Sequence, residues 1–311
     1  MKILVTGGAG FIGSHVVDEL LEQEHEVIIV DDLSTGNSDY IPPHVKFYKH
    51  TIESEEMDSI FQTERPEAVL HLAAQIDVQN SLQYPQQDAS INILGSIRLL
   101  ELCRNYKTNK IIYSSSAAVY GTPNYLAVDE NHPIQPLSSY GISKYTPEKY
   151  IQMYSELYHL DYTILRYANV YGPRQISKGE GGVVSIFIDK LMKDDQPVIF
   201  GDGTQTRDFV YVTDVARANV LALKNGSREV LNISTGSPTS INELYKIAAE
   251  INQSGILPQY APARDGDIVH SFLDNAKAQH HLGWVPQTTI DTGLHETFEY
   301  YRNKHKTKVL L

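Results

Sequence analysis

The chain has 311 residues, with 26 Lys and Arg against 38 Asp and Glu, which gives a formal net charge of −12. A chain this acidic is a poor binder of nucleic acid, and it is long enough to bury a large core. Its single cysteine, Cys103, excludes an internal disulfide, and no apolar run reaches membrane-spanning length. The sequence begins with a strand-like run, so we expect no signal peptide, no membrane anchor and a cytoplasmic location.

The first predicted elements are a strand, a glycine-rich loop, a helix and a second strand. Residues 2–5 are an apolar run, the loop 6–13 follows, and the second apolar run, 27–30, ends in Asp31. Glycines let backbone N–H groups approach a pyrophosphate at a helix N-terminus. An acidic residue in the position of Asp31 binds the ribose hydroxyls and repels the additional phosphate of NADP. No Arg or Lys lies between Asp31 and Tyr40, which also favours NAD. The alternative is a glycine-rich turn without a ligand.

Strand-like and helix-like segments alternate further along the chain. Residues 68–72 and 110–113 read as strands, with a helix predicted over 91–104 between them. This alternation predicts an α/β fold with a Rossmann-type, doubly wound parallel sheet. We expect the small and polar residues 73–75 and 114–116 to follow two of the strands. The carboxyl ends of strands are where ligands bind in open α/β sheets.

Tyr140 and Lys144 form the strongest candidate pair for catalysis. They lie four residues apart, so a helix would place them on one face. A free phenol is a poor base at neutral pH, but a neighbouring ammonium favours its charged form. Such pairs also occur on solvated helices without any function. The spacing therefore suggests that Tyr140 acts as a base, and the other motifs of the chain must indicate which reaction it serves.

Several motifs together carry a resemblance to a known family. They are residues 6–13, 71–75, Asn92, 114–121, 140–144, 166–174, 201–210 and 264–267. In these motifs the chain resembles the extended short-chain dehydrogenase/reductase family, essentially from end to end. Within it, the chain is similar to the short bacterial UDP-glucose 4-epimerases. The resemblance implies a smaller mixed α/β substrate lobe beside the NAD-binding sheet.

The resemblance implies a mechanism and three catalytic residues. Tyr140 would remove the proton of a sugar 4-hydroxyl while hydride passes from C4 to NAD. Lys144 would lower the pKa of that phenol, and Ser116 would hold the substrate hydroxyl. In an epimerase, the keto sugar turns over and receives hydride on its other face. No net redox change occurs, so NAD must stay tightly bound.

Ala117 and Ala118 bear on which member of the family this is. Relatives that eliminate water or carbon dioxide carry an acid near these places, and alanine cannot move a proton. The pattern favours 4-epimerisation of a UDP-hexose over dehydration or decarboxylation. UDP-glucuronate 4-epimerase or decarboxylase activity stays open as the alternative. A non-catalytic redox sensor of this fold is disfavoured, since it would not need Tyr140, Lys144 and Ser116 together.

The resemblance also assigns binding residues. The candidates for the cofactor are Gly7, Gly10, Phe11, Ile12, Gly13, Asp31, Asp32, Leu33, Ser34, Thr35, Gly36, Thr51, Ile52, Leu72, Ala73, Ala74, Gln75, Asn92, Ser114, Tyr140, Lys144, Tyr167 and Val170. The candidates for the UDP-sugar are Ser116, Tyr140, Asn169, Val183, Arg207, Arg264, Asp267 and Ser271. The two arginines would grip the diphosphate, because a guanidinium suits bidentate contacts. No metal site is expected.

Four places depart from the pattern of relatives. Thr51 stands where an Asp often contacts adenine, and residues 179–182 carry glycine where longer epimerases have asparagine, so backbone N–H groups would bind there. Pro147 removes a hydrogen bond to the carbonyl of Ser143 and predicts a kink. Ser271 takes a gate position where a bulky Tyr excludes N-acetylated sugars. We therefore expect UDP-N-acetylglucosamine to be accepted as well.

The motifs also predict how the chain is divided. Residues 1–170 would form the NAD-binding domain and 171–311 mainly the substrate lobe, with returns to the large domain near 207–219 and 230–236. Relatives dimerise through two helices of each subunit. Here these would be roughly 91–104 and 140–159, whose apolar residues exceed what one face needs. The resemblance therefore implies a homodimer, with no nucleic-acid or membrane partner.

Overall fold

The computed structural model describes residues 1–177, 182–264 and 267–309, and side chains as far as residue 304. The strands are β1 Lys2–Thr6, β2 Glu26–Val30, β3 Lys46–Tyr48, β4 Ala68–His71, β5 Lys110–Ser116, β6 Asp161–Tyr167, β7 Asn169–Tyr171, β8 Val198–Phe200, β9 Thr206–Arg207, β10 Phe209–Tyr211, β11 Glu229–Ile233, β12 Thr239–Ser240 and β13 Gln259–Ala261. The helices are α1 Phe11–Glu22, α2 Glu56–Glu64, α3 Val78–Gln83, α4 Pro85–Ala89, α5 Gly95–Tyr106, α6 Ser139–Tyr158, α7 Val183–Met192, α8 Val212–Leu221, α9 Ile241–Ile251, α10 Ala276–Leu282 and α11 Ile290–Val309.

A seven-stranded sheet forms the centre of the molecule. Its strand order is β11-β6-β5-β4-β1-β2-β3, and all neighbouring strands are parallel. The apolar runs of β1, β2 and β4 are buried, as expected for strands covered on both faces. The strand order reverses direction between β1 and β4, and this is the switch point at which ligands bind in such sheets. The predicted Rossmann-type fold is confirmed.

The sheet is covered on both faces by apolar clusters. One cluster joins α1 and α8 to β1, β6 and β11, and the other joins α2, α5 and α6 to β4 and β5. Cys103 on α5 is fully buried in the second cluster, and burial raises the pKa of its thiol to about 12. It therefore packs as an apolar side chain and is not a reactive thiol.

A third apolar cluster lies outside the sheet. It brings together α7, α9 and α11 with Tyr171 of β7 and Phe209 and Tyr211 of β10. Strand β10 pairs with β7 in a separate two-stranded sheet, whereas β11 joins the large sheet beside β6. The division into domains stays a prediction. No helix in the described ranges is both long and apolar enough to cross a membrane.

The predicted end of β5 was wrong. Ser114–Ser116 do not follow β5 but form its last three residues, because the register with β6 continues to Ser116 opposite Tyr167. The helix predicted over 91–104 begins as a π-helical turn, Ser90–Leu94, and α5 starts only at Gly95. Helix α6 continues through Pro147, so the proline does not end it, and the kink stays a prediction.

Candidate active site

Helix α6 carries the candidate catalytic pair. The side chain of Ser138 caps it by accepting a hydrogen bond from the backbone N–H of Gly141 at 3.1 Å. Tyr140 is half-buried in the first turn, and its backbone N–H donates to Ser81 Oγ at 3.1 Å. Lys144 follows one turn later. The cap and Ser81 hold the first turn of α6 in place, so Tyr140 and Lys144 have fixed positions on this helix.

Lys144 lies in a nearly closed environment. It is 4% exposed, and its ammonium lies 4.7 Å from the ring centre of Tyr113. Tyr113 also donates its hydroxyl to the backbone carbonyl of Lys144 at 3.2 Å. Burial lowers the pKa of Lys144 to about 8, against the opposing charges of Glu148 and Asp88. An ammonium with this pKa is still mostly charged at neutral pH, as a cation that assists a phenolate must be.

Ser116 ends β5 close to the start of α6. Its hydroxyl accepts the backbone N–H of Ala118 at 3.2 Å and caps the short 3-10 turn Ala117–Val119. That turn packs against α6. Strand β5 and helix α6 therefore bring Ser116 to the same end of the sheet as Tyr140 and Lys144.

The glycine-rich loop between β1 and α1 is closed too tightly for side chains. Gly7 has a φ of +72°, and an added Cβ would lie 2.7 Å from the backbone N of Ala73; one on Gly13 would overlap the carbonyl of Gly7. Helix α1 starts at Phe11 without a side-chain cap. Its first N–H groups are therefore available to an anion, and the loop fits the pyrophosphate of a dinucleotide.

Asp31 anchors the loop that follows β2. Its two carboxylate oxygens accept backbone N–H bonds from Ala9 at 2.9 Å and Leu33 at 2.8 Å. Burial raises its pKa, although these two bonds oppose the rise. Asp32 binds Ser34 locally, and Asn37 donates its N–H to the carbonyl of Ala9 at 2.9 Å. The loop 31–37 is therefore folded against the glycine loop, where a ribose beside the pyrophosphate would lie.

Two cations from distant parts of the chain contact Tyr40, at the end of the segment after Asp31 that itself contains no Arg or Lys. Arg174 lies 5.3 Å from the ring centre of Tyr40 and pairs with Asp18 at 2.7 Å. Lys304 donates to the Tyr40 hydroxyl at 3.1 Å. The absence of Arg and Lys from the segment after Asp31 thus gave an incomplete picture of the charges around it.

The remaining predicted cofactor residues have varied surroundings. Leu72, Ala73, Ala74 and Gln75 follow β4, and Phe11 and Ile12 open α1. Thr51 is exposed, whereas Ile52 is 5% exposed. Ser114 donates to the carbonyl of His71, and the Tyr167 hydroxyl to Asn219 Oδ1 at 2.9 Å, so both polar groups already have protein partners. Thr35, Gly36 and Val170 complete the set, in the loop after β2 and in β7.

Asn92 stands at the centre of a buried hydrogen-bond network that the sequence did not reveal. Its Oδ1 accepts the N–H of Gln75 at 2.8 Å, and its Nδ2 donates to the carbonyl of Gln75 at 2.9 Å. The same Nδ2 donates to Ser143 Oγ at 2.9 Å, and Ser143 donates to the carbonyl of Tyr140 at 3.1 Å. We call Gln75, Asp88, Asn92 and Ser143 the Asn92 network. It ties the end of β4 to the catalytic turn of α6.

His71 is a second buried connector. Thr6 Oγ1 lies 2.8 Å from its Nδ1 and also accepts the N–H of Ala73. Its Nε2 lies 2.9 Å from Ser96 Oγ, which donates to the carbonyl of Asn92. Burial lowers its pKa to about 3, so the ring is neutral. Because Ser96 uses its proton on the carbonyl of Asn92, Nε2 donates to Ser96 Oγ, and Nδ1 accepts from the Thr6 hydroxyl. His71 therefore joins the ends of β1 and β4 to the π-helical turn and has no acid–base role.

Three of the eight candidate substrate residues line a small cavity of about 130 Å³, and the other five are not among its lining residues. Asn169, Arg207 and Ser271 line it, together with Ala117 and Ala118. The other lining residues are Tyr120, Gly121, Pro123, Val128, Ile268 and Leu273. Among the described residues, no lining side chain is a carboxylate or an imidazole. The ionisable side chains among the described lining residues are Arg207 and Tyr120, and burial raises the pKa of Tyr120 above its ordinary value.

Arg207 ends strand β9, and Arg264 follows strand β13. Arg207 is half-buried and donates to the backbone carbonyl of Thr206 at 2.8 Å, while burial lowers its pKa against the charge of Asp267. Arg264 lies 4.0 Å from the ring centre of Phe200, and its carbonyl accepts the N–H of Asp267. Val183 is the first residue of α7, and the predicted binding by backbone N–H groups of residues 179–181 lies outside the described residues.

Comparisons with known proteins agree with this arrangement. Residues 3–234 match the model of the NAD dependent epimerase/dehydratase family. A putative UDP-glucose 4-epimerase of Methanocaldococcus jannaschii is 51% identical over 98% of this chain and 100% of its own length. The crystal structure of UDP-glucose 4-epimerase from Thermotoga maritima with UDP-glucose is 48% identical, covers 98% of this chain and 100% of its own, and has a TM-score of 0.95.

A third relative was solved with the cofactor. The UDP-glucose 4-epimerase of Thermus thermophilus in complex with NAD is 38% identical, covers 97% of this chain and 99% of its own, and has a TM-score of 0.91. The sequence and structural similarities extend over nearly the whole of each chain. The chain therefore belongs to the NAD-dependent epimerase/dehydratase family.

Proposed function

We propose that the protein is an NAD-dependent UDP-glucose 4-epimerase that interconverts UDP-glucose and UDP-galactose. The observation that carries the proposal concerns the two residues that follow Ser116 in the sequence. Ala117 and Ala118 line the cavity, and their 3-10 turn packs against the helix that carries Tyr140 and Lys144. A base without a second acid can remove a hydroxyl proton and return it, but it cannot drive elimination.

Each residue has a separate task in this mechanism. Tyr140 accepts the proton of the sugar 4-hydroxyl, and Ser116 holds that oxygen. Lys144 stabilises the phenolate by its charge. NAD, when bound, supplies the acceptor that takes hydride from C4 and returns it. Because Ala117 and Ala118 offer no competing acid or base, Tyr140 gives its proton back to the 4-oxygen of the turned sugar.

The diphosphate must be bound by local charges, because the net charge of −12 opposes an anionic substrate. Arg207 lines the cavity and is bonded to a backbone carbonyl, which leaves guanidinium N–H groups for phosphate oxygens. Arg264 is held against Phe200. We propose that both bind the diphosphate, with Asp267 on the uridine ribose and Asn169 on the sugar side.

We further propose that the substrate range includes UDP-N-acetylglucosamine. Ser271 lines the cavity beside Ala117 and Ala118, where a side chain as small as serine leaves space for an acetyl group. UDP-glucuronate is the less favoured substrate, because Arg207 is the one cation among the described residues that line the cavity, and the diphosphate needs it.

A homodimer and a cytoplasmic location belong to the same proposal. Leu94 is 61% exposed before α5, and Ile142, Met153 and Leu157 form an exposed apolar stripe on α6, which packs beside α5. Exposed apolar side chains grouped on one helix face are typical of a protein–protein interface. A second copy of the same two helices would cover it. The single, buried, free Cys103 fits a reducing compartment.

The proposal is tested with purified protein in D₂O without added NAD. UDP-glucose, UDP-N-acetylglucosamine and UDP-glucuronate are incubated separately, and the stereoisomers are separated by chromatography and examined by NMR at C4. We expect UDP-galactose that keeps hydrogen at C4, since hydride comes from the same sugar and not from solvent. Deuterium at C4, a need for external NAD, or release of carbon dioxide would each contradict the epimerase proposal.

A further inference from the structure

Asp88 is a buried carboxylate beside the catalytic helix. It is 1% exposed and lies on α4, which packs against α6. Its Oδ1 accepts hydrogen bonds from Gln75 Nε2 at 2.8 Å and from Asn92 Nδ2 at 3.2 Å. Its Oδ2 is buried and accepts no hydrogen bond in the described part of the chain. An ionised group in this situation needs a compensating charge nearby.

Lys144 is a buried cation whose charge interacts with that of Asp88. Burial works against its charged form, and the negative charges of Glu148 and Asp88 work for it. Its ammonium rests on the ring of Tyr113, a contact that helps a cation but supplies no negative charge. The charge state of Lys144 therefore depends on the two carboxylates.

Glu148 is already compensated by another cation. Its carboxylate accepts two bonds from Arg166, at 3.0 Å from Nε and 2.6 Å from Nη2, and one from Ser115 Oγ at 2.5 Å. Both members of this ion pair are almost fully buried. A two-bond pair of this kind behaves as a nearly neutral unit at a distance. Within the described ranges, no Lys or Arg forms such a hydrogen-bonded pair with Asp88.

The other titratable groups around Lys144 do not replace Asp88. From β5, Tyr113 faces it with its pKa raised well above the ordinary value by burial, so it is neutral. From β4, His71 is neutral because burial lowers its pKa to about 3. On α6 itself Tyr140 is the base that Lys144 serves. Asp88 on α4 is therefore the uncompensated carboxylate among the described groups that face Lys144.

Asp88 is also joined to the catalytic turn by hydrogen bonds. Asn92 Nδ2, which donates to Asp88, also donates to Ser143 Oγ at 2.9 Å. Ser143 immediately precedes Lys144 and donates to the carbonyl of Tyr140 at 3.1 Å. A change at Asp88 therefore reaches the catalytic pair through its charge and through the position of α6.

We propose that Asp88 is a positioning residue of this enzyme, which compensates the charge of Lys144 and, through Asn92 and Ser143, fixes the turn of α6 that carries Tyr140 and Lys144. The proposal rests on the proposed function for the role of Tyr140 as the base. The charge compensation itself concerns Lys144 alone and can be measured without a substrate.

The test is the titration of Lys144 in Asp88→Asn. Asparagine keeps an oxygen for Gln75 and Asn92 but removes the charge. In NAD-loaded protein with ¹³C-labelled lysine, the Lys144 signal is assigned by its absence in Lys144→Met. Without the anion the ammonium is less stable, so we expect its midpoint to move from about 8 to a pH lower by about one unit. The alkaline limb of kcat should move in the same direction.

Two variants serve as controls. Asp77→Asn removes a carboxylate from the neighbouring cap of α3, where Asp77 accepts the N–H of Asn80 at 2.7 Å, and should leave the midpoint unchanged. Asp88→Glu keeps the charge and should keep the midpoint within about 0.3 units of the wild type. An unchanged midpoint in Asp88→Asn, or an equal shift in Asp77→Asn, overturns the proposal.

The wild type provides a second measurement if Asp88→Asn does not fold. The ¹³C signal of the Asp88 carboxylate should then respond at the midpoint of Lys144, and no response would overturn the proposal. None of these titrations depends on turnover. A protein that shows the expected shift but does not convert UDP-hexoses would refute the epimerase function and leave the charge compensation established.

Discussion

At the scale of single residues, the catalytic proposal depends on Tyr140 more than on any other side chain. Its backbone is held on both sides, by Ser81 and by Ser143, and Lys144 follows one helical turn later. These two contacts hold the backbone of Tyr140 and do not involve its phenol hydroxyl. The phenol oxygen can therefore be removed while the turn that carries it is left in place.

Tyr140→Phe should abolish turnover and leave cofactor binding intact. Loss of a general base reduces kcat by about 100- to 10,000-fold, while the glycine loop and Asp31 are untouched. We would measure kcat with UDP-glucose, and the NAD content after denaturation of the purified protein. Tyr145→Phe on the same helix is the matched control, since Tyr145 packs against Lys149 and has no part in the proposed proton transfer. Full activity in Tyr140→Phe would remove the basis of the mechanism.

Ser271→Tyr should narrow the substrate range. A phenol ring in a cavity of about 130 Å³ would take the space available to an acetyl group. We expect kcat/KM for UDP-N-acetylglucosamine to fall on the order of 10- to 100-fold relative to UDP-glucose. The exposed Ser237→Tyr is the control. Equal losses for both sugars, or a wild type inactive on the acetylated sugar, would refute the gate.

The sequence predicted the chemistry of these residues better than their surroundings. The spacing of Tyr140 and Lys144 and the position of Asp31 after β2 are local properties, so a pattern reveals them. The partners of Asn92 come from 17 and 51 positions away. Nothing in the local sequence of Asn92 indicates that its amide would be used by Gln75 and Ser143.

At the scale of elements, the loop after β2 depends on the last helix. Tyr40 ends the 3-10 helix Ser38–Tyr40 that follows this loop, and Lys304 of α11 donates to its hydroxyl at 3.1 Å. Tyr300 of α11 lies 3.4 Å from the same oxygen. A helix from the far end of the chain thus holds the loop 31–37, which would cover the cofactor.

Lys304→Met should therefore speed the release of NAD. A hydrogen bond from a charged group contributes about 1.5–3 kcal/mol, and we expect release to increase on the order of tenfold. The measurement is NAD retained by the protein after timed dilution and gel filtration. Arg302→Met is the control on the same helix, because Arg302 donates to the carbonyl of Ile251 on α9 instead. Equal release from both variants would show that α11 does not act through Tyr40.

The predicted elements were most reliable where one physical signal determined them. The apolar run of β1 and the glycines after it allowed little besides a strand and a tight turn. The segment predicted as a helix over 91–104 is helical throughout, but helical periodicity did not reveal that its first turn is π-helical. The serines of β5 were placed outside the strand since their polarity resembles a turn. Pairing with β6 decided otherwise.

At the scale of the whole molecule, alternation of strands and helices was enough to predict the parallel sheet, since parallel neighbours need crossover connections. It did not indicate which helices of the last third of the chain pack away from this sheet. Strand β11 completes the large sheet, whereas α9 and α11 build the third apolar cluster. Those assignments depend on contacts between distant segments, which periodicity does not contain.

The apolar stripe on α6 leads to a prediction about assembly. Leu157 is 61% exposed and lies on the same face as Ile142 and Met153. If two copies bury this stripe, Leu157→Glu should convert a dimer into a monomer, because each subunit would place a carboxylate at an apolar interface. Light scattering at micromolar concentration reports the mass, and Leu257→Glu, at a 76% exposed site outside the stripe, is the control. A monomeric wild type, or dissociation in both variants, would show that this face is not the interface.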